Sequence, residues 1–148
     1  MTVMKLWIDG DGCPVVQHAI DIAKRNGLAV TVVKNHAVQV KEGYAEVITV
    51  DVSRDAADFY IVNHMSAGDI VITQDYGLSA MVLSKRGYCM NQNGRQVTQE
   101  NIDLILEQRH NNRVERQKNK KYTKFKKRRP EDDDAFGDAL MVLLEKLL

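Results

Sequence analysis

The feature that most constrains this chain is its alternation of short β-branched or apolar runs with segments of helical period. Met4–Asp9 (MKLWID) reads as a strand that ends in acid. Pro14 then suits a helix start, where its fixed φ and missing N–H do no harm. Val15, Ala19, Ile22 and Ala23 recur at helical spacing up to Asn26, and Gly27 supplies the left-handed stop. Leu28–Val33 and Glu46–Val50 are too short and too β-branched for helices, so they are strands. His36–Tyr44 carries no strong period and reads as a loop or short turn. Ser53 can cap a helix reaching Met65, with Ala57, Tyr60, Ile61, His64 and Met65 on its core face. Asp69–Thr73 is a fourth strand, followed by a helix over Gly77–Lys85 closed by Gly87, and Tyr88–Met90 a short fifth. Asn91–Gly94 is turn chemistry. Thr98 caps a helix carrying Ile102, Leu104, Ile105 and Leu106, and a last amphipathic helix follows Pro130 with Leu140, Leu143, Leu144 and Leu147.

Strands that alternate with helices predict an α/β fold, a Rossmann-like three-layer sandwich with a mostly parallel sheet of four or five strands. The 148 residues suit one domain over 1–108, a mobile basic segment over 109–130 and a C-terminal helix over 131–148 packing back on the domain. No apolar run approaches the roughly 20 residues a membrane span needs. Nothing at the N-terminus resembles a signal peptide, and Cys13 and Cys89 make no disulfide framework. A cytoplasmic protein without membrane contact is expected.

The net charge of +1 conceals a polarity along the chain. Arg109–Arg129 holds 11 Lys and Arg against one acid, Glu115, which leaves the remainder at −9. An acidic body attracts cations, and a basic arm attracts polyanions.

In open parallel sheets, ligands sit outside the carboxyl ends of the strands. Three segments bring aspartates to that edge: Asp9 and Asp11 after the first strand, Asp55 and Asp58 early in the helix after the third, and Asp75 after the fourth. Like charges gathered there raise one another's pKa until a proton or cation compensates. Hard oxygen donors favour Mg²⁺ or Mn²⁺ over Zn²⁺. Such ions activate water for in-line phosphodiester displacement, and Thr73 can position a water or phosphate oxygen. Each aspartate also has a structural reading. Asp55 and Asp58 complement a helix dipole, Asp9 and Asp11 can cap the first helix, and Asp75 can cap the helix after it.

The stretches IDGDGCPV (Ile8–Val15), DAADFYIV (Asp55–Val62) and DIVITQDYGLSAMVLSKRG (Asp69–Gly87) together resemble the YaiI/YqxD family of uncharacterised bacterial proteins. So does the R-x-P of Arg128–Pro130 with its acidic helix start, and the resemblance covers nearly the whole chain. Gly10 and Gly12 stand where the family more often has alanine. The family looks like a branch of the PIN-like (NYN-like) nuclease superfold. That resemblance implies acids from the first strand, a middle helix and the fourth strand chelating Mg²⁺ or Mn²⁺. Carried onto this chain it names Asp9, Asp58 (with Asp55) and Asp75, with Asp11 auxiliary, and a nuclease acting on RNA.

Cys13 at a helix start and Cys89 in a strand read as packing residues, and the four histidines as non-catalytic. Lys120, Lys121, Lys124, Lys126, Lys127, Arg128 and Arg129, interleaved with Tyr122 and Phe125, suit phosphate contacts and base stacking. Their bland reading is a solvated linker. Two other functions compete with a nuclease. Asp9 and Asp11 have the D-x-D spacing of haloacid-dehalogenase-like phosphatases, though no lysine partner is evident. A non-catalytic nucleic-acid-binding protein is the third. The sequence does not define an oligomeric state.

Overall fold

Residues 4–11, 13–36, 43–53, 55–119 and 127–148 are described by the computed structural model. The chain runs β1 (Lys5–Asp9), α1 (Val16–Arg25), β2 (Ala29–Asn35), β3 (Glu46–Val50), α2 (Ala56–His64), β4 (Ile70–Ile72), α3 (Tyr76–Ser84), β5 (Tyr88–Met90), β6 (Gln96–Val97), α4 (Ile102–Asn119) and α5 (Pro130–Leu147). One six-stranded sheet has the order β3-β2-β1-β4-β5-β6. All neighbours are parallel except β5 and β6.

Side chains alternate across a strand, and that period assigns the two helical layers. Leu6, Ile8, Val30, Val32, Ile70 and Ile72 face α1 and α5, meeting Ile20, Phe136, Leu140 and Leu144. Trp7, Val33, Val71 and Cys89 face the opposite way, onto Ile61 of α2, Leu78 and Val82 of α3 and Ile102 and Ile105 of α4. The chain is thus an α/β sandwich with helices on both faces of the sheet. Continuing the alternation, Asp9 lies on the Trp7 side and Thr73 on the Val71 side. Both therefore belong to the layer that contains α2 and α3.

Several boundaries differ from the sequence expectation. β6 is additional: the turn at 91–95 carries the chain back onto β5, with Asn91 Oδ1 accepting Asn93 N at 2.9 Å and Arg95 N at 3.0 Å. Gly94 takes φ +84 there, and a Cβ would stand 2.7 Å from Ala139 of α5, so both backbone and space exclude larger residues. α2 begins at Ala56, and Ser53 contributes only a backbone carbonyl to its entry. His64 is exposed rather than on the core face, its ring stacked on Tyr60 at 3.9 Å. After α3 the left-handed residue is Arg86, not Gly87. Gly87 is needed for clearance, since a Cβ there would lie 2.5 Å from Met65 Cε and 2.8 Å from Val82 Cγ1.

The division at residue 108 falls inside α4, which continues to Asn119. Once a helix is nucleated, Arg, Gln, Glu and Lys extend it at little cost. The first part of the basic segment is thereby an outward continuation of the body. α5 belongs to the core through Phe136, Leu140, Leu143 and Leu144. Arg129 N–H donates to Asp132 Oδ2 at 2.8 Å, closing its first turn beside Pro130. Among the described residues no helix is long and apolar enough to cross a membrane.

Candidate metal centre

β1 and β4 are adjacent, yet β2 and β3 extend from β1 in one direction and β5 from β4 in the other. This is where chain order reverses and a crevice opens beyond the carboxyl ends. Asp9 is the last residue of β1, and Thr73 directly follows β4. Thr73 is 2% exposed; its hydroxyl donates to Asp9 Oδ2 at 2.8 Å and accepts from Asp75 N at 3.0 Å. One buried hydroxyl thus joins the two strand ends.

Asp75 caps α3, its Oδ1 accepting Gly77 N at 2.8 Å and Leu78 N at 3.2 Å. The capping reading of this residue holds, and it leaves Oδ2 uncommitted to those bonds. Asp58 reaches the same place from α2, only 8% exposed, and hydrogen-bonds the Asp75 carboxyl. Two carboxyls can share such a bond only through a proton. Burial first, then that hydrogen bond and the charges of Asp75, Asp9 and Asp55, push Asp58 up to about 7. Asp9 is also raised, chiefly by burial. The Thr73 hydroxyl opposes that shift, while the charges of Asp11 and Asp75 add to it. The structure therefore brings Asp9, Asp58 and Asp75 within electrostatic reach of one another.

The two remaining aspartates stand further out. Asp11 is exposed at the rim, its Oδ1 accepting Asn35 N at 2.9 Å. Asp55 is exposed at the start of α2 and makes no side-chain cap. It does not line the crevice. Neither Asp9 nor Asp11 caps α1, whose N-cap position is Val15.

The crevice holds about 640 Å³. Asp9, Asp11, Asp58 and Asp75 line it, and α4 contributes Leu106, Arg109, His110 and Arg113. The Arg109 guanidinium lies over the Tyr76 ring at 4.8 Å. Sequence reading missed this wall. The signal was available: 106, 109, 110 and 113 fall at helical i,i+3 and i,i+4 spacing, one stripe beside the core positions 102 and 105.

The expected nucleic-acid contacts fare unevenly. Lys120, Lys121, Lys124 and Lys126 lie outside the described residues. Lys127 is exposed. Arg128 is a fastener rather than a free cation. It bonds Asp133 Oδ1 at 2.6 Å, Asn93 Oδ1 at 3.1 Å and Gln92 O at 2.8 Å, tying the start of α5 to the turn before β6. Arg129 keeps a side chain 71% exposed, loosely paired at 3.9 Å with Glu131 and Asp132. Burial raises the Cys13 thiol and pushes Cys89 up to about 11, so neither is a ready thiolate.

As the side chains stand, no group of three or more His, Cys, Asp or Glu among the described residues is arranged to hold a metal ion. The donor chemistry nevertheless fits a hard divalent cation. Asp58 is pushed up to about 7 by burial and its acidic neighbours, a shift that a cation would relieve, and Asp75 and Asp9 are the carboxylates beside it. Among the described residues no lysine lines the crevice beside the D-x-D of Asp9 and Asp11.

The chain is 48% identical to a UPF0178 protein of Alkaliphilus oremlandii, over 97% of this chain and 92% of the relative. It is 42% identical to one of Natranaerobius thermophilus (97% and 98% covered) and 43% identical to one of Exiguobacterium sibiricum (95% and 96% covered). No solved structure matches it. The family model described as "Uncharacterized BCR, YaiI/YqxD family" matches residues 7–146, and the chain belongs to that family.

Proposed function

We propose that this protein is a metal-dependent nuclease that hydrolyses phosphodiester bonds, with RNA as the substrate. The observation that carries the reading is the meeting of Asp9, Asp58 and Asp75 at the switch point. Asp58 is pushed up to about 7 by its neighbours, and no Lys or Arg ion pair relieves the three among the described residues. Asp9 and Asp58 are buried with Asp75 exposed beside them, and buried like charges without a basic partner are costly unless they serve a ligand.

Asp9, Asp58 and Asp75 would hold Mg²⁺ or Mn²⁺, with Asp11 at the rim as an auxiliary group. When bound, the ion would supply Lewis acidity that activates water and neutralises charge on the phosphoryl oxygens. The chain's own part is preparatory. Thr73 fixes Asp9 and the Asp75 backbone in one unit. Gly77 N and Leu78 N anchor one Asp75 oxygen and so orient the other. Asp58, pushed up to about 7, would have to be deprotonated to serve as a ligand, so binding would compete with its proton.

The test is Mn²⁺ binding followed by electron paramagnetic resonance, together with cleavage of a fluorescent oligouridylate. The wild type is expected to bind Mn²⁺ and to cleave only when it is present. Full Mn²⁺ binding and undiminished cleavage in Asp9→Asn and Asp75→Asn would remove the basis of the reading.

A further inference from the structure

The crevice is lined by groups of both charge signs. Four carboxylates face it from the strand ends and α2, and Arg109, His110 and Arg113 face it from α4. Oppositely charged side chains that share a crevice ordinarily collapse into ion pairs. Here they do not: the ion pairs among the described residues all involve Arg128 or Arg129. Arg109 instead rests on the Tyr76 ring at 4.8 Å. The remaining space, about 640 Å³, is within the size range of ligand pockets.

We infer that Arg109 and Arg113, one helical turn apart on α4 and lining the same crevice as Asp9, Asp58 and Asp75, hold a backbone phosphate of a single-stranded nucleic acid. This rests on the function proposed above for the kind of substrate. It assigns the binding charge to the α4 wall rather than to Lys127 and Arg129 further along the chain. A guanidinium suits the role through its planar fork of donors and its ability to stay on an aromatic ring while bonding a phosphate. A phosphodiester on those arginines shares the crevice with the carboxylates, which would repel it in the absence of a cation. Arg109 and Arg113 therefore act as positioning residues.

The experiment is fluorescence anisotropy with a labelled oligouridylate in EDTA, as a function of salt, so that no metal-dependent step enters. Arg109→Gln and Arg113→Gln are each expected to weaken binding roughly tenfold. Each should also flatten the log K against log salt slope by about 0.7, the value for one phosphate on a single strand. Arg109→Lys with Arg113→Lys should restore the slope while leaving affinity below wild type, a pattern that a merely structural role would not produce. Thermal unfolding of each variant identifies any that has lost its fold. The inference is overturned if the folded double Gln variant keeps wild-type affinity and slope. It is equally overturned if Lys127→Gln with Arg129→Gln removes the whole salt dependence. If binding follows Arg109 and Arg113 but cleavage ignores Mn²⁺, the inference stands and the proposed nuclease falls.

Discussion

Each end of β4 meets a buried aspartate, Asp69 before the strand and Asp9 beyond it, and the two surroundings are built on opposite principles. Before the strand, Asp69 is 4% exposed and accepts from Lys5 N at 3.0 Å, Trp7 Nε1 at 3.0 Å and Ser66 N at 2.9 Å. Both oxygens are satisfied by N–H donors drawn from β1 and the preceding turn. Beyond the strand, Asp9 receives the Thr73 hydroxyl, and Asp58 and Asp75 must bond each other. The first arrangement is closed and needs nothing further. The second is left short of positive charge, as a site awaiting a cation would be.

Substitution at each end should separate these roles. Asp9→Asn is expected to lower Mn²⁺-dependent cleavage at least a thousandfold, about 4 kcal/mol in the barrier. Its melting temperature should stay level or rise, since a repulsive buried charge is removed. Asp69→Asn should do the reverse. It replaces an acceptor oxygen with a donor facing N–H groups, which costs roughly 3 kcal/mol and about 6–12 °C in melting temperature. Mn²⁺ binding by the folded fraction should be unchanged. Equal melting losses for the two variants would erase the contrast between the ends.

Legibility in the sequence follows the same division. Strand and helix periods indicate the layers, and the ligand-edge rule indicates Asp9, Asp11, Asp55, Asp58 and Asp75 as a set; only the family resemblance separates Asp9, Asp58 and Asp75 from the rest, and Asp55 proves not to line the crevice. Asp69 was read only as the start of a strand, since its partners Lys5 and Trp7 lie more than 60 residues away. Arg128 was read as a phosphate contact for a like reason: Gln92 and Asn93 become its neighbours only when α5 docks. The α4 wall was hidden differently. Its spacing was visible, but the charge run around it invited a reading as one mobile arm, and helix continuation through Asn119 depends on the packing of Ile102 and Ile105.

The pH dependence of the metal-free protein sharpens the comparison further. Asp58 sits at about 7 in the folded chain against an ordinary carboxylate value near 3.8. Between those values the folded state keeps a proton that the unfolded state has released, so stability falls as pH rises. The contribution is fully present below about 4 and is lost as pH passes about 7. Measured by thermal unfolding in EDTA, Asp58→Asn should gain on the wild type steadily from pH 4 to pH 8. Mn²⁺ should cancel the difference for the wild type and strengthen in affinity about tenfold per unit as pH approaches 7 from below. A difference that shrinks with rising pH would mean that Asp58 is not held protonated.

The smallest expected effect tests the link between the two strand ends. Thr73→Val keeps shape but removes the donor to Asp9 Oδ2 and the acceptor for Asp75 N. Stability should fall by about 1 kcal/mol, the usual worth of such bonds. Cleavage should fall roughly tenfold, because Asp9 loses the group that orients it. The hydroxyl also holds the Asp9 pKa down against burial, so its loss should raise that pKa further and move Mn²⁺ binding to higher pH. Thr73→Ser retains the hydroxyl and should restore the pH profile even where the lost methyl costs some packing. A Ser variant with the Val profile would mean that the methyl, not the hydroxyl, organises this end of the sheet, and the strand-end pair would then lose its common anchor.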